Sequence, residues 1–265
     1  MSAASWIDLD RLPVKSLFIS DIHIGSLAST QDEELQVEAI EVLKNAAKEG
    51  FTLFLLGDIF DYWLEVGSAV PTVAQYFRSS LAQLAKNHEV YMVTGNHDNW
   101  TNGYFNRIGI AESSEGVLSR DGCLLAHGDG FKSGKFELIR PLKHRILRNP
   151  NFIKLFITIY GKDGAWQKMQ DFSKASSLKL KNPEIEISRL NKWAEDVITK
   201  QRLKLVVCGH DHQARLLAFG KSTYLNTGFF QKERTFGLLD DGILRLMKVD
   251  STTRNWKVVS ERSLS

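Results

Sequence analysis

Polar residues that could bind metal ions follow five separate apolar runs along the chain. They form the clusters Asp21-Ile22-His23, Gly57-Asp58, Gly95-Asn96-His97-Asp98, His127-Gly128-Asp129 and Gly209-His210-Asp211-His212. Neutral imidazole, carboxylate and amide oxygen together suit divalent cations such as manganese, iron or zinc, whereas softer metal sites prefer thiolate and thioether ligands. The residue types therefore predict metal-dependent chemistry.

The spacing within the clusters favours two metal ions over one. In Asp21-Ile22-His23 and in His210-Asp211-His212 the outer residues are two apart, so both side chains of a pair share one face of an extended segment. One catalytic ion takes about three or four protein ligands, whereas the seven candidates here suit two ions about 3.5–4 Å apart. A single Asp-x-His or Gly-Asp cluster more often forms a turn than binds a metal ion, because Asp and Gly both favour turns. Five clusters together, each after an apolar run, favour a metal centre.

Short apolar runs alternate with helical patterns along the chain. The strands and helices that they predict must position the five clusters. The runs cover residues 16–20, 52–56, 89–93, 122–126 and 204–208. A helical pattern after the first run ends near Gly50, and another begins at Pro71. Buried strands joined by helices predict an α/β fold, in which ligands bind beyond the carboxyl ends of the strands. Further short strands are predicted after residue 208.

The composition is that of an ordinary globular protein. The chain has 265 residues, of which 43% are hydrophobic and 25% charged, and this excludes collagen-like, coiled-coil and disordered classes. We expect a single domain over residues 1–265. Two cysteines exclude a disulfide framework and favour a reducing compartment. The apolar runs are shorter than the roughly 20 residues of a membrane span, and the first 15 residues lack a signal-peptide layout, so we expect an intracellular protein.

Positive charge is concentrated in residues 131–180. This range has eleven lysines and arginines and three acidic residues, a net charge of +8, so the rest of the chain carries −5 of the overall +3. Large apolar residues alternate with the basic ones in helical patterns. One interpretation is a surface that meets an anionic partner, whether phosphate, nucleic acid or an acidic membrane. The other is a solvated basic helix face.

The five clusters, in this order, resemble the signature of the calcineurin-like metallophosphoesterase superfamily, which reads Asp-x-His, Gly-Asp, Gly-Asn-His-Asp/Glu, His and Gly-His-x-His. All five blocks are intact between residues 21 and 212. The resemblance implies a four-layer αββα sandwich, with residues 131–180 as a helical insertion (cap) within the single domain. It also implies a metal-dependent hydrolase of phosphoric esters or pyrophosphates.

The resemblance also implies a role for each cluster residue. Two residues would be catalytic, His97 beside the leaving group and Asp98 as the carboxylate that orients His97. Seven residues would bind the two metal ions, and these are Asp21, His23 and His212 for the first ion, Asn96, His127 and His210 for the second, and Asp58 for both.

The charge of a phosphate ester gives a physical reason for such a site. The ester repels hydroxide, and two cations cancel this repulsion while they lower the pKa of a bound water. A protonated His97 could stabilise the developing charge or protonate the leaving oxygen. We therefore expect direct in-line attack by metal-bound hydroxide, without a covalent enzyme intermediate.

Within the superfamily, the chain resembles the UDP-2,3-diacylglucosamine diphosphatases of the lipid A pathway. The resemblance rests on its length, on the segments GDIFDYWLE and GNHDNW and on the helical range after His127. That family cleaves the pyrophosphate bond of UDP-2,3-diacylglucosamine to UMP and 2,3-diacylglucosamine 1-phosphate (lipid X), usually with manganese. It works at the cytoplasmic face of the inner membrane.

This narrower resemblance implies the partners of the chain. They are a lipid-linked UDP-sugar substrate, two divalent ions (manganese, with iron or zinc as alternatives) and an anionic membrane surface that the basic range contacts peripherally. No nucleic-acid partner is expected. The residues implied to contact the substrate are Asn96, His97, Ser173, Lys174 and Ser177.

Two alternatives stay open on the sequence alone. One is a metallophosphoesterase of other specificity, such as a phosphodiesterase or a Ser/Thr protein phosphatase. The other is a non-catalytic scaffold that keeps the fold. The presence of every metal-type residue, together with both His97 and Asp98, argues against the scaffold.

Overall fold

The computed structural model describes residues 4–66, 69–70, 74–134, 138–178 and 183–264. The strands are β1 (Ala4–Leu9), β2 (Ser16–Ile19), β3 (Thr52–Leu56), β4 (Val90–Val93), β5 (Ala111–Ser119), β6 (Cys123–Leu125), β7 (Leu205–Cys208), β8 (Arg215–Phe219), β9 (Ser222–Asn226), β10 (Thr235–Asp240), β11 (Ile243–Val249) and β12 (Trp256–Ser263). The helices are α1 (Ser29–Lys48), α2 (Gln75–Leu84), α3 (Tyr104–Arg107), α4 (Leu142–Leu147), α5 (Pro150–Leu178), α6 (Pro183–Gln201) and α7 (Phe230–Glu233). Gly161, with φ of 66°, divides α5 into two helical pieces.

The strands form one mixed sheet whose two halves share β5. The order is β12-β11-β10-β2-β3-β4-β5-β6-β7-β9-β8, with β1 paired to β5. Residues 111–113 of β5 pair with β4, and residues 117–119 pair with β6. The far ends of the sheet approach each other, because Arg262 Nε in β12 donates a hydrogen bond to Thr223 Oγ1 in β9 at 3.1 Å. The sheet is therefore curled, and its halves enclose an apolar core that includes Phe18, Phe54 and Leu225.

Helices cover both outer faces of the curled sheet. The apolar stripes of α1 and α2 pack on β2, β3 and β4. On the other half, α6 packs on β6, β7 and β9, and its Trp193 stacks on Phe131 with 5.2 Å between ring centroids. The prediction of an α/β fold is confirmed. The two sheet layers expected from the sequence are halves of a single hydrogen-bonded sheet.

Helices α4 and α5 lie within residues 131–180, where the sequence predicts helix. They pack on the loops that follow β3 and β4. Trp166 Nε1 in α5 donates to Leu64 O at 2.9 Å, and Trp100 Nε1 donates to Leu147 O in α4 at 2.7 Å. Among the described residues, no helix is long and apolar enough to cross a membrane.

Candidate metal centre

The loops after β2, β3, β4, β6 and β7 meet at one place. Every predicted cluster begins within two residues of a strand end, and these ends are Ile19, Leu56, Val93, Leu125 and Cys208. Backbone hydrogen bonds tie the loops together, since Asp21 N donates to Gly57 O at 3.1 Å and Gly209 N donates to His127 O at 3.0 Å. The clusters from both halves of the sheet therefore converge, as the sequence predicts.

Among the residues that the structure describes, three groups of side chains have ligand atoms within 4.8 Å of one another. The groups are Asp21, His23 and His212; His23, Asp58 and His97; and Asp58, His127 and His210. Because His23 and Asp58 each belong to two groups, the three groups form one continuous centre. All the carboxylate and imidazole ligands predicted from the sequence lie in it. The clustered carboxylates and imidazoles are consistent with a di-metal site.

Asp58 is the central carboxylate of the site. Its Oδ2 lies 3.2 Å from His127 Nε2 and 3.8 Å from His23 Nε2, and its Oδ1 accepts a hydrogen bond from His97 N at 2.9 Å. Burial raises the pKa of this carboxyl group, but the charges of His127 and His97 outweigh burial and hold the pKa well below its usual range. Asp58 is therefore a buried anion, the state that a ligand shared by two cations requires.

Asp21, His23 and His212 form one side of the centre. His212 Nε2 lies 3.3 Å from Asp21 Oδ1 and 3.3 Å from His23 Nε2. Burial lowers the pKa of His23. Burial also lowers the pKa of His212, but the neighbouring Asp21 carboxylate outweighs burial and raises it. The His212 ring stacks on Phe229 with 4.1 Å between centroids, which fixes its orientation.

Four buried polar atoms of the ligand loops have no hydrogen-bond partner in the described part of the chain. They are Asp21 Oδ1, Asn96 Oδ1, His127 Nε2 and His210 Nδ1. His127 Nδ1 donates to Leu56 O at 2.9 Å, so Nε2 is the nitrogen that faces Asp58 and that holds the lone pair when the ring is neutral. Burial lowers the pKa of His127 and Asp58 raises it, to about 10 overall. Buried polar atoms are nearly always paired, so these unpaired oxygens and nitrogens on neighbouring ligand loops fit bound cations.

The backbone adopts the left-handed conformation at most of the predicted ligands. Five positions have φ between 51° and 75°, the left-handed region, and these are Asp21, His23, Asp58, His210 and His212. Such conformations cost about 1–3 kcal/mol each for residues other than glycine and are concentrated at functional sites. Glycine permits the close approach of the loops, because a Cβ on Gly95 or Gly209 would collide with the carboxylate of Asp58 or of Asp21.

The His97 ring is held by Asp61, a residue that the sequence analysis does not assign. His97 Nδ1 donates to Asp61 O at 2.8 Å and lies 3.8 Å from Asp61 Oδ1. Asp61 Oδ1 also lies 3.4 Å from His23 Nδ1. The signal in the sequence is a second carboxylate three residues after Asp58, on the same loop.

The carboxylate of Asp98 contacts the backbone of two loops, and its role of orienting His97 stays a prediction. Its Oδ2 accepts hydrogen bonds from Ile59 N at 2.8 Å and Phe60 N at 3.3 Å, and its Oδ1 accepts one from Gly95 N at 2.7 Å. Burial raises the pKa of this carboxyl group to about 6. Asp98 therefore joins the loop after β3 to the loop after β4.

The five residues predicted to contact the substrate fall in two places. His97 belongs to the centre, and Asn96 precedes it in the same loop. Ser173, Lys174 and Ser177 belong to the last turns of α5, where the side chains lie outside the described residues. Their contacts with substrate stay predictions.

A buried ion network beside the centre links it to the end of α4. Asp129 is 1% exposed, and its Oδ1 lies 3.1 Å from Arg140 Nη2 and 3.1 Å from Arg148 Nη2. Arg148 Nη2 also donates to Gly95 O at 2.8 Å. The network therefore supports the loop of residues 94–98. The sequence patterns do not predict it, because its members come from three separate segments.

Replacing Asp129 with alanine is expected to lower the free energy of unfolding by about 3–5 kcal/mol, because two buried guanidinium groups lose an anionic partner. Urea denaturation of the metal-free protein, followed by circular dichroism, measures the change. The control is Glu261→Ala, which breaks an exposed pair with Arg245 and is expected to cost less than about 1 kcal/mol. Equal, small effects of the two substitutions would contradict the structural role of Asp129.

The fold and the centre define a metal-dependent phosphoesterase. A family model described as calcineurin-like phosphoesterase matches residues 14–214, which contain all five clusters. The chain belongs to the calcineurin-like phosphoesterase family, and its histidine and aspartate groups are those of a metal-binding hydrolase.

Two relatives carry the same name. The chain is 29% identical over 156 residues to UDP-2,3-diacylglucosamine hydrolase of Porphyromonas gingivalis, a match that covers 55% of this chain and 57% of that protein. It is 27% identical over 207 residues to UDP-2,3-diacylglucosamine hydrolase of Nitrosococcus oceani, covering 75% and 78%. Among solved structures, a mutant of a cold-active protein tyrosine phosphatase has a TM-score of 0.51 at 13% identity, covering 98% of this chain and 83% of that chain. This last likeness shows the fold alone.

Proposed function

We propose that the chain is a di-metal hydrolase that cleaves the pyrophosphate bond of UDP-2,3-diacylglucosamine and releases UMP and 2,3-diacylglucosamine 1-phosphate. The observation that supports the reaction type is the convergence of carboxylate and imidazole groups on Asp58. The substrate is supported by the names of the relatives from Porphyromonas gingivalis and Nitrosococcus oceani.

In this proposal two divalent cations occupy the centre, with manganese as the proposed metal and iron or zinc as alternatives. When bound, the cations offset the negative charge of a pyrophosphate and acidify a water. In the proposal Asp58 is shared by two ligand sets, which are Asp21, His23 and His212 for one ion and Asn96, His127 and His210 for the other; the group of Asp21, His23 and His212 and the group of Asp58, His127 and His210 support it.

His97 is the proposed proton donor to the leaving phosphate. Because its Nδ1 donates to Asp61 O, the proton that reaches the leaving oxygen is carried by Nε2. The backbone N–H of His97 is fixed by Asp58 Oδ1. Asp61 and Asp58 together therefore set the position of the imidazole beside the ligands of both proposed ions.

The lipid part of the substrate is proposed to lie against α4 and α5, which would cap the site. Over residues 142–171, where their side chains are described, these helices expose five large apolar side chains, which are Leu142, Ile146, Leu155, Ile159 and Tyr160. Exposed Lys143, Arg145 and Lys154 lie between them in the sequence. Apolar side chains flanked by basic ones suit acyl chains and the anionic headgroups of a membrane. The proposed location is therefore the cytoplasmic face of an inner membrane.

A comparison of substrates tests the proposed function. With Mn²⁺ present, kcat/KM for UMP release from UDP-2,3-diacylglucosamine is expected to exceed that for bis-p-nitrophenyl phosphate by at least about 100-fold, since the uridine and acyl groups add binding energy that a small ester lacks. Faster cleavage of the small ester would reject the lipid-linked substrate and favour a phosphodiesterase of other specificity. No hydrolysis of either compound would favour a non-catalytic scaffold.

Replacing Leu155 and Ile159 with glutamate is expected to weaken binding to vesicles of phosphatidylethanolamine and phosphatidylglycerol by at least about tenfold, because each buried apolar side chain contributes about 1.5–3 kcal/mol. Co-sedimentation measures the binding. The control is a double substitution of Val258 and Val259 by glutamate; these valines are exposed on β12. Equal binding by both variants, or no binding by the unaltered protein, would contradict membrane contact through α5.

A further inference from the structure

Glu186, in the first turn of α6, contacts His210 from outside the ring of ligands. Its Oε1 lies 3.3 Å from His210 Nε2, and the two side chains are 22% and 20% exposed. The contact therefore lies at the rim of the centre. Glu186 is outside all five sequence clusters and has no role in the proposed function.

This contact determines which nitrogen of His210 carries a proton. A carboxylate oxygen accepts hydrogen bonds, so Nε2 is the donor and the neutral ring holds its lone pair on Nδ1. Nδ1 is one of the buried atoms that have no hydrogen-bond partner in the described chain. His210 forms a group with Asp58 and His127. Nδ1 is therefore the ligand atom that His210 offers to this group.

Glu186 is itself held in place. Arg189, one turn further along α6, donates from Nε to Glu186 Oε1 at 3.0 Å. The Arg189 guanidinium also donates to Phe131 O and, at 3.4 Å, to Gly128 O. Since residues 128–131 directly follow His127, the carboxylate is fixed relative to two of the ligand loops.

We infer that Glu186 is a positioning residue for the second metal ion and acts by fixing the tautomer and orientation of His210. This inference rests on the proposed function, in which His210 is a ligand. A carboxylate that hydrogen-bonds to a metal-binding histidine raises the basicity of the ring, and its loss costs about 10–100-fold in metal affinity. An ion pair formed only with Arg189 would have no such effect on the metal.

Calorimetric titration of the metal-free protein with Mn²⁺ tests the inference. The unaltered protein is expected to bind two ions, and E186A to bind one ion normally and the second about 10–100-fold more weakly. E186Q keeps an acceptor oxygen, so it is expected to lose less affinity than E186A, and it provides the same comparison if E186A does not fold. E195A changes an exposed glutamate of the same helix and is expected to bind like the unaltered protein.

The H210A variant separates this inference from the proposed function. If H210A binds two ions with unaltered affinity, His210 is not a ligand and its proposed role fails. If H210A loses one ion while E186A and E186Q bind both normally, only the inference about Glu186 is overturned. The double variant E186A/H210A is expected to bind no more weakly than H210A, because Glu186 acts through His210. A further loss would make Glu186 an independent ligand and would also overturn the inference.

Discussion

Replacing Asp58 with asparagine is expected to lower phosphoesterase turnover by at least about 10³-fold, which corresponds to about 4 kcal/mol of lost transition-state stabilisation. The amide has nearly the same shape, so the loops keep their positions, but it has no negative charge to share between two cations. Asp58 lies within 4 Å of both His127 and His23. The substitution therefore weakens both ion sites at once, and bound manganese is expected to fall well below two ions per chain.

Steady-state kinetics with saturating Mn²⁺ and elemental analysis of the dialysed protein measure these two effects. The matched control is Glu112→Gln, which converts another buried carboxyl group to an amide; Glu112 lies on β5 and is 1% exposed. That variant is expected to keep its metal and most of its turnover. If Asp58→Asn keeps two ions per chain, Asp58 is not the shared ligand.

The substitution His97→Ala is expected to lower turnover by about 10²–10⁴-fold, the usual contribution of a positioned general acid, while metal content stays at two ions per chain. The reason is that His97 is held through Nδ1 by Asp61 O, an arrangement that suits proton transfer at Nε2. Turnover of UDP-2,3-diacylglucosamine and elemental analysis of the same sample give both values.

The geometry also allows His97 to be a metal ligand instead of a proton donor, and the experiment distinguishes these two roles. His97 shares a ligand-distance group with His23 and Asp58, so loss of manganese from His97→Ala would make it a ligand. The control is His88→Ala, which removes a histidine outside the five clusters and is expected to leave both turnover and metal content unchanged.

The elements and the convergence of the clusters could be predicted because they depend on local patterns. The apolar run at residues 52–56 is β3, and the helix expected before Gly50 is α1, which ends at Lys48; Gly50 itself has φ of 84°. Once the strands were identified, the rule that ligands bind beyond strand ends brought Asp21 and His127 to one site.

The residues that support the ligands could not be predicted in the same way. Asp61 contacts a histidine 36 positions away, and Arg148 contacts a carbonyl group 53 positions away. Such contacts depend on how the loops turn and where the helices dock, and neither produces a periodic pattern in the sequence. The role that the resemblance implies for Asp98, to orient His97, stays a prediction; the contacts described for its carboxylate are to the backbone of two loops.

Anomalous diffraction from crystals grown with manganese tests the central claim most directly. The account predicts two peaks about 3.5–4 Å apart on either side of the Asp58 carboxylate, one beside Asp21 and His212 and the other beside His127 and His210. A single peak, or peaks remote from Asp58, would contradict a two-cation centre built by these loops.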